Sequence, residues 1–183
     1  MEKLYELIAN HEDWLMERIL KYAIQQGYAQ YTSTLKEPWR LSICGLSGPL
    51  LNALASNQID LELKTEDTFT QDPAAAFGIL EAQRHRDRVI ELAMFLGLFK
   101  YYRQSYQDLV AQAGFESEYR HACHRLIDRF FDRIEIGFCS EWAKIGHDDL
   151  LKALQTSNRV MTNEKNKYLT LFESLANPVI LLD

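Results

Sequence analysis

Four residues with chemically useful side chains lie at helical spacing near the middle of the chain. Glu81, His85 and Arg88 follow one another at steps of four and three, and Arg84 lies three residues after Glu81 and four before Arg88, so the four share one side of a helix. Arginine and histidine in one cluster suit an anionic ligand, because a guanidinium binds carboxylate and phosphate oxygens in a bidentate manner. The same residues could instead form a salt-bridge network, which is common in proteins and needs no ligand.

The face that carries these charges becomes apolar and aromatic toward its C-terminal end. At the same steps it continues through Leu92, Phe95, Phe99, Tyr102, Tyr106 and Val110. Such a stripe packs into a core, and a charged stretch on it must be solvated, paired or next to a polar pocket. We therefore expect a pocket between helices, lined by the charged cluster with Tyr102, Tyr106 and Glu135 as helpers.

A metal site is an alternative that the sequence leaves open. Glu118 and His121 have the Glu-x-x-His spacing of carboxylate-bridged di-iron bundles, and His124 lies one helical step further. Those sites need two such motifs and two further glutamates, whereas this chain has one motif. His85 could also ligate haem, although a lone histidine on a bundle helix is usually hydrogen-bonded in the core. We expect no metal site, and the cofactor stays unknown.

Composition and motifs exclude several function classes. No Ser-His-Asp or Cys-His arrangement, phosphate loop or paired-carboxylate cleft can be assembled from the sequence. The net charge of −6 argues against nucleic acid as a general partner. The first residues lack the apolar core of a secretory signal, and no apolar run approaches the roughly 20 residues that span a bilayer, so we expect neither export nor a membrane span. The three cysteines are widely spaced and no export is expected, so we expect a reduced, cytoplasmic protein. The length of 183 residues suits one principal domain.

Apolar periodicity predicts the helices that position the cluster. Residues 2–26 form a first helix that Gly27 ends, and a second helix begins between residues 34 and 38. Residues 72–114 read as one long helix, from an Asp-Pro pair suited to an N-terminus to a glycine suited to the C-terminus. Between the second helix and this long one, residues 57–71 do not read as helix. Apolar side chains alternate with charged ones over residues 59–64, which indicates an extended connection across the bundle and a lid over the pocket.

The C-terminal half predicts two more helices. Residues 117–145, ended by Gly146, should form an antiparallel hairpin with the long helix about Gly114. Counting outward from that turn places Glu141 nearly level with Arg88, so the two could form an ion pair.

A fifth helix follows from Asp148 or Asp149 and carries a heptad seam. Alternating steps of four and three connect Leu150, Leu154, Ser157, Met161, Glu164, Tyr168, Leu171 and Leu175. Its six apolar members predict a parallel two-helix coiled coil, and therefore a homodimer. A bundle helix is the alternative, but the polar stretch 162–167 argues against deep burial. Residues 177–183 read as a first β-strand of a domain that is cut away.

Residues 168–183 resemble the linker helix and first strand of a PAS domain in bacterial sensor proteins. The upstream chain resembles the all-helical N-terminal input domain of PAS-containing sensor histidine kinases. The stretches that carry this resemblance are 31–35, 39–42, 81–86, 94–106, 130–132 and 138–142. A more distant likeness is to the helical N-terminal domains of stress-signalling regulators.

The resemblance implies a role in signal transduction, with PAS, kinase or other effector domains downstream in the same chain. These residues contain neither an autophosphorylation-site helix nor an ATP-binding motif, so we expect no kinase activity from them. The expected architecture is all-α, with four main helices in a sensor bundle (1–146) and a signalling helix (147–176). The start of a PAS domain (177–183) would follow.

Overall fold

The structure, a computed structural model, describes residues 1–32, 35–56 and 60–174, and all their side chains except those of residues 31 and 145–153. The described residues form six α-helices and two short 3₁₀ turns, without a strand among them, so the predicted all-α class is confirmed. The α-helices are α1 (Glu2–Ala9), α2 (Glu12–Gln25), α3 (Lys36–Ala55), α4 (Ala76–Asp87), α5 (Leu92–Gln112) and α6 (Ser117–Ser174). The 3₁₀ turns are Ala29–Tyr31 and Phe69–Gln71.

The chain divides into two compact units, Met1–Trp142 and Ala143–Asp183. In the first unit, α1 and α2 both pack against α3 and α5. Its core is filled by branched aliphatic and aromatic side chains, including those of Leu4, Leu15, Ile19, Ile43, Leu50, Phe99, Ile127, Phe130 and Phe131. The second unit is the remainder of α6 and the residues after it. No helix in the described ranges combines the length and the apolar composition that a bilayer crossing needs.

The predicted first helix is in fact two helices. α1 ends at Ala9 and α2 begins at Glu12, with His11 as its N-cap. The Nδ1 atom of His11 lies 2.7 Å from the carbonyl oxygen of Leu7, so the ring pairs with a carbonyl of the last turn of α1. Glu12 and Asp13 then place negative charge at the N-terminus of α2, where the helix dipole favours it.

The predicted long helix over residues 72–114 is wrong, because it breaks after Asp87. Two hydrogen bonds close the end of α4: the N–H of Val89 donates to Arg86, and that of Ile90 donates to His85. This is the Schellman arrangement, which needs one residue in the left-handed conformation. Val89 takes that place with φ 57°. The new helix α5 then runs to Gln112, and Gly114 follows it with φ 68°, as predicted for that end.

The predicted helix end at Gly146 is also wrong. Helix α6 continues through this position to Ser174, so the separate fifth helix from Asp148 or Asp149 does not exist. A single glycine lowers helix propensity by about 1 kcal/mol, which neighbouring good helix formers can offset. The predicted strand over residues 177–183 lies outside the described residues, and the four-helix bundle with its hairpin stays a prediction.

The connection between α3 and α4 is irregular in its described part, residues 60–75, apart from one 3₁₀ turn. Its acidic side chains meet arginines that lie one turn apart on α6. Glu62 pairs with Arg125 and Arg129, and Arg133 pairs with Asp67 at 2.9 Å. The segment therefore lies along α6, and no described residue of it lines the cavity described below, as a lid would.

Helix α4 lies very close to α6. A Cβ added to Gly78 would lie 2.5 Å from the Cγ2 atom and 3.0 Å from the carbonyl oxygen of Ile134. A Cβ added to Gly137 of α6 would lie 2.7 Å from that of Ala75. Such distances are shorter than van der Waals contact, so glycine is what permits this approach.

We expect Gly78→Ala to destabilise the protein by about 1–3 kcal/mol, because the new methyl group meets a backbone carbonyl that cannot move alone. Gly97→Ala is the matched substitution in α5, where the new atom meets only the hydroxyl end of Tyr28, which can rotate away. Urea unfolding of both variants measures the difference. Equal loss of stability in both would contradict the close packing of α4 on α6.

Candidate functional site

A cavity of about 500 Å³ lies between α3, α4 and α5 in the first unit. Its volume falls in the range of about 300–1,000 Å³ that is typical of small-molecule sites. The described lining residues are Thr32, Pro38, Trp39, Leu41, Ser42, Leu46, Phe77, Glu81, Arg84, His85, Arg88, Ile90, Phe95, Leu98, Phe99 and Tyr102. The structure therefore brings five of the seven sequence-predicted pocket residues to one cavity.

The last two turns of α4 form the polar wall. Arg84 donates to Glu81 Oε1 at 2.8 Å, and the His85 ring lies 3.3 Å from Glu81 Oε2. His85 Nδ1 also lies 2.8 Å from the carbonyl oxygen of Glu81. Both oxygens of this mostly buried carboxylate therefore face a partner on their own helix. The basic residues also suit the C-terminus of a helix, where the dipole favours positive charge.

Arg88 is the C-cap of α4 and has an exposed side chain at the edge of the cavity. The expected ion pair with Glu141 is wrong. Glu141 instead accepts a hydrogen bond from Gln83 at 3.1 Å, and its carbonyl oxygen accepts one from Arg86 at 3.1 Å. Among the described residues, no carboxylate forms an ion pair with Arg88. Helical spacing explains this, because Arg88 lies on the cavity side of α4, whereas Gln83 and Arg86 lie on the side that meets α6.

The opposite wall is aromatic. Trp39 of α3 and Tyr102 of α5 stack with ring centroids 6.3 Å apart. Phe95 makes a T-shaped contact with His85 at 4.7 Å. It also stacks on Phe99 at 5.9 Å and, nearly parallel, on Phe138 of α6 at 4.0 Å. The polar and aromatic walls therefore meet at the His85–Phe95 contact, and the Phe95 ring packs directly on α6.

Tyr102 supplies a hydroxyl that stays protonated at neutral pH. Burial raises the pKa of Tyr102 well above its ordinary value, and the nearby charge of Glu81 raises it further, while the Ser42 hydroxyl acts in the opposite direction. A neutral phenol can donate and accept one hydrogen bond each, so it can orient a polar group of a ligand.

Two predicted pocket residues lie elsewhere. Tyr106 is buried in the core, where its hydroxyl lies 2.6 Å from that of Ser47. Glu135 pairs with Lys100 and Arg103, on a side of α5 away from the cavity. The break in the predicted helix does not cause this, since both lie beyond it. Helical spacing alone does not tell which part of a stripe borders a void.

The sequence reasoning missed the contribution of α3 to the site. Trp39 and Ser42 lie in residues 39–42, which entered the prediction only as one of the stretches that resemble sensor input domains. One signal was present, because Gly45 predicts a close neighbour on α3. The structure places the Phe77 ring against Gly45, which brings the start of α4 onto α3 and closes one end of the cavity.

The weak metal alternative finds no grouping in the part of the chain that the structure describes. Glu118 and His121 are exposed, and the ring nitrogen Nδ1 of His121 lies 2.7 Å from the carbonyl oxygen of Ser117. Within the described ranges, no group of three His, Cys, Asp or Glu side chains stands close enough to hold a metal ion. Glu118, His121 and His124 therefore form no such group.

Comparison with known proteins leaves the geometry as the guide to function. No family model matches the chain, and no match is found among curated proteins or solved structures.

We expect Val89→Gly to stabilise the protein by about 1 kcal/mol, although glycine usually destabilises. Val89 is 91% exposed and has φ 57°, a conformation that costs L-residues roughly 1–2 kcal/mol and β-branched residues more. Val89→Ala, which keeps a Cβ, should recover less. Chemical denaturation of both variants provides the test, and a loss of stability in Val89→Gly would contradict the break at this residue.

Proposed function

We propose that this chain is the sensory input region of a bacterial signal-transduction protein that works in the cytoplasm. A small molecule binds in the cavity between α3, α4 and α5 and favours one packing of these helices. Helix α6 then carries the change, as a homodimeric coiled coil, to a downstream PAS domain and a kinase or other effector. The proposal assigns no reaction to these residues, since a kinase output would lie outside them.

The observation that carries this proposal is the connection between the cavity and α6. Phe95 lines the cavity and stacks on Phe138 at 4.0 Å, while α4, which bears the polar wall, approaches Ile134 through Gly78. Interfaces packed this closely do not deform continuously, so a small shift at the cavity favours a discrete repacking. A ligand changes the populations of two packings only by its difference in affinity for them.

The second unit supports the dimeric relay. Every described side chain from Leu154 to Ser174 is exposed in the single chain. Four apolar members of the seam belong to this stretch and are more than half exposed, namely Leu154, Met161, Tyr168 and Leu171. The seam residues Leu150 and Leu175 lie outside the described side chains. Exposed apolar residues at heptad spacing are what a parallel coiled coil buries against a second copy.

We expect Leu154→Asp and Met161→Asp each to shift the protein from dimer to monomer in analytical ultracentrifugation. A charge at a seam position has to be desolvated or must separate the helices. Asn158→Asp is the control, because it adds the same charge on the same exposed helix outside the seam. Sedimentation that is the same for parent and seam variants would remove the coiled coil from the proposal.

We expect at least one small molecule in a mixed panel of anionic, neutral and cationic metabolites to raise the melting temperature. Ligand that binds the native state stabilises it by mass action, about 2.7 kcal/mol at a hundredfold excess over Kd. Ser42→Trp fills the cavity from α3 and should abolish the shift. If no compound of any charge stabilises the parent more than Ser42→Trp, the chain is a dimerisation scaffold and the sensory proposal fails.

A further inference from the structure

We infer that the cavity ligand is a monoanionic aromatic carboxylate, held by Arg88 at the cavity edge and enclosed by the rings of α3 and α5. This inference rests on the proposed function and specifies the chemistry of that same site.

The charge of the lining points to an anion with one negative charge. The described lining contains two guanidiniums, those of Arg84 and Arg88, and one carboxylate, that of Glu81. With the imidazole uncharged, the cavity carries one net positive charge, although the chain as a whole carries −6. One carboxylate balances this charge, whereas a phosphate monoester would leave excess negative charge against apolar walls.

The hydrogen bonds of the polar wall assign the anion to an arginine. Glu81 does not serve a cationic ligand well, because Arg84 and His85 already face its two oxygens. His85 Nδ1 faces the carbonyl of Glu81, so the neutral ring has only an acceptor left at its other nitrogen. Arg88 has no carboxylate partner among the described residues, and its planar fork matches a carboxylate in a bidentate manner.

The walls point to a flat apolar body. Trp39, Phe77, Phe95, Phe99 and Tyr102 contribute five rings to the lining. Trp39 and Tyr102 are nearly parallel, with an interplanar angle of 19°. Aromatic pairs are stabilised beyond the burial of their area, which a flexible alkyl chain does not obtain. An alkyl chain also loses more rotamer freedom when it is bound.

Isothermal titration calorimetry with three probes tests the inference on the intact chain. The probes are 2-naphthoate, its neutral analogue 2-naphthamide, and octanoate, which keeps the carboxylate without a ring. We expect 2-naphthoate to bind at least tenfold more tightly than either of the others, because only this probe combines a carboxylate for Arg88 with a flat ring for the aromatic walls.

Two arginine variants locate the anion. Arg88→Ala should weaken 2-naphthoate binding tenfold or more and leave 2-naphthamide unchanged, while Arg120→Ala, outside the lining, should change neither. Circular dichroism and the melting temperature without ligand serve to check that both variants are folded. Arg88 lies at the exposed end of α4, where truncation leaves the core intact.

Each other outcome overturns the inference. Equal affinity for 2-naphthamide would contradict the need for an anion, and tighter binding of octanoate would contradict the need for an aromatic ring. Equal effects of Arg88→Ala and Arg120→Ala would contradict the assigned site, and absence of binding by all three probes would contradict the ligand class. None of these results removes the sensory proposal, which fails separately if the mixed panel gives no shift.

Discussion

The parallel stack of Phe95 on Phe138 is the contact on which the site and its support both depend. It joins the first turn of α5 to α6 at 4.0 Å, and the same Phe95 ring makes a T-shaped contact with His85. One side chain therefore touches the polar wall, the aromatic wall and the helix that leaves the first unit. Because closely packed rings tolerate little displacement, the position of α5 at the cavity and the position of α6 are set together.

The arginines of α4 and α5, with the C-cap of α4 included, divide into two groups with different surroundings. Arg86 and Arg103 reach toward α6, where Glu141 and Glu135 accept their hydrogen bonds. Arg84 and Arg88 border the cavity instead. On α4, helical spacing produces this division, since Arg84 and Arg88 share one side of the helix and Arg86 lies on another. Cations need oxygen acceptors, which Arg86 and Arg103 find on α6 and Arg84 finds on its own helix. Among the described residues no carboxylate pairs with Arg88, whose acceptor is therefore solvent or a ligand.

The sequence predicted helix ends well where glycine marks them. Gly27 and Gly114 both take positive φ directly after α2 and α5, because glycine adopts this conformation without steric penalty. The prediction of helix ends failed at Val89, because a β-branched residue gives no sign of a left-handed position. The run Arg84-His85-Arg86 was the available signal, since basic residues favour a last turn. Gly146 was the opposite error, a glycine tolerated within a helix.

The charged half of the cavity could be found from spacing along one helix, but the aromatic half could not. Glu81 and His85 are neighbours on α4 whatever the rest of the chain does. Trp39 joins them only because α3 packs beside α4 and α5, and such packing depends on the fit of side chains distant in sequence. Tyr106 shows the same limit, because its place in the stripe did not reveal that Ser47 would hold it in the core.

The arginine contacts of the connection before α4 are not equal in strength, and this has a consequence for how the segment responds to its medium. The Glu62–Arg125 pair is largely in solvent, with 48% and 72% of the two side chains exposed, whereas Arg133 and Asp72 each expose only 11%. Dissolved ions weaken exposed pairs much more than shielded ones. Rising ionic strength therefore weakens the pairs of the Glu62 carboxylate first, while Arg133 still holds the Glu62 carbonyl oxygen and the segment next to α4.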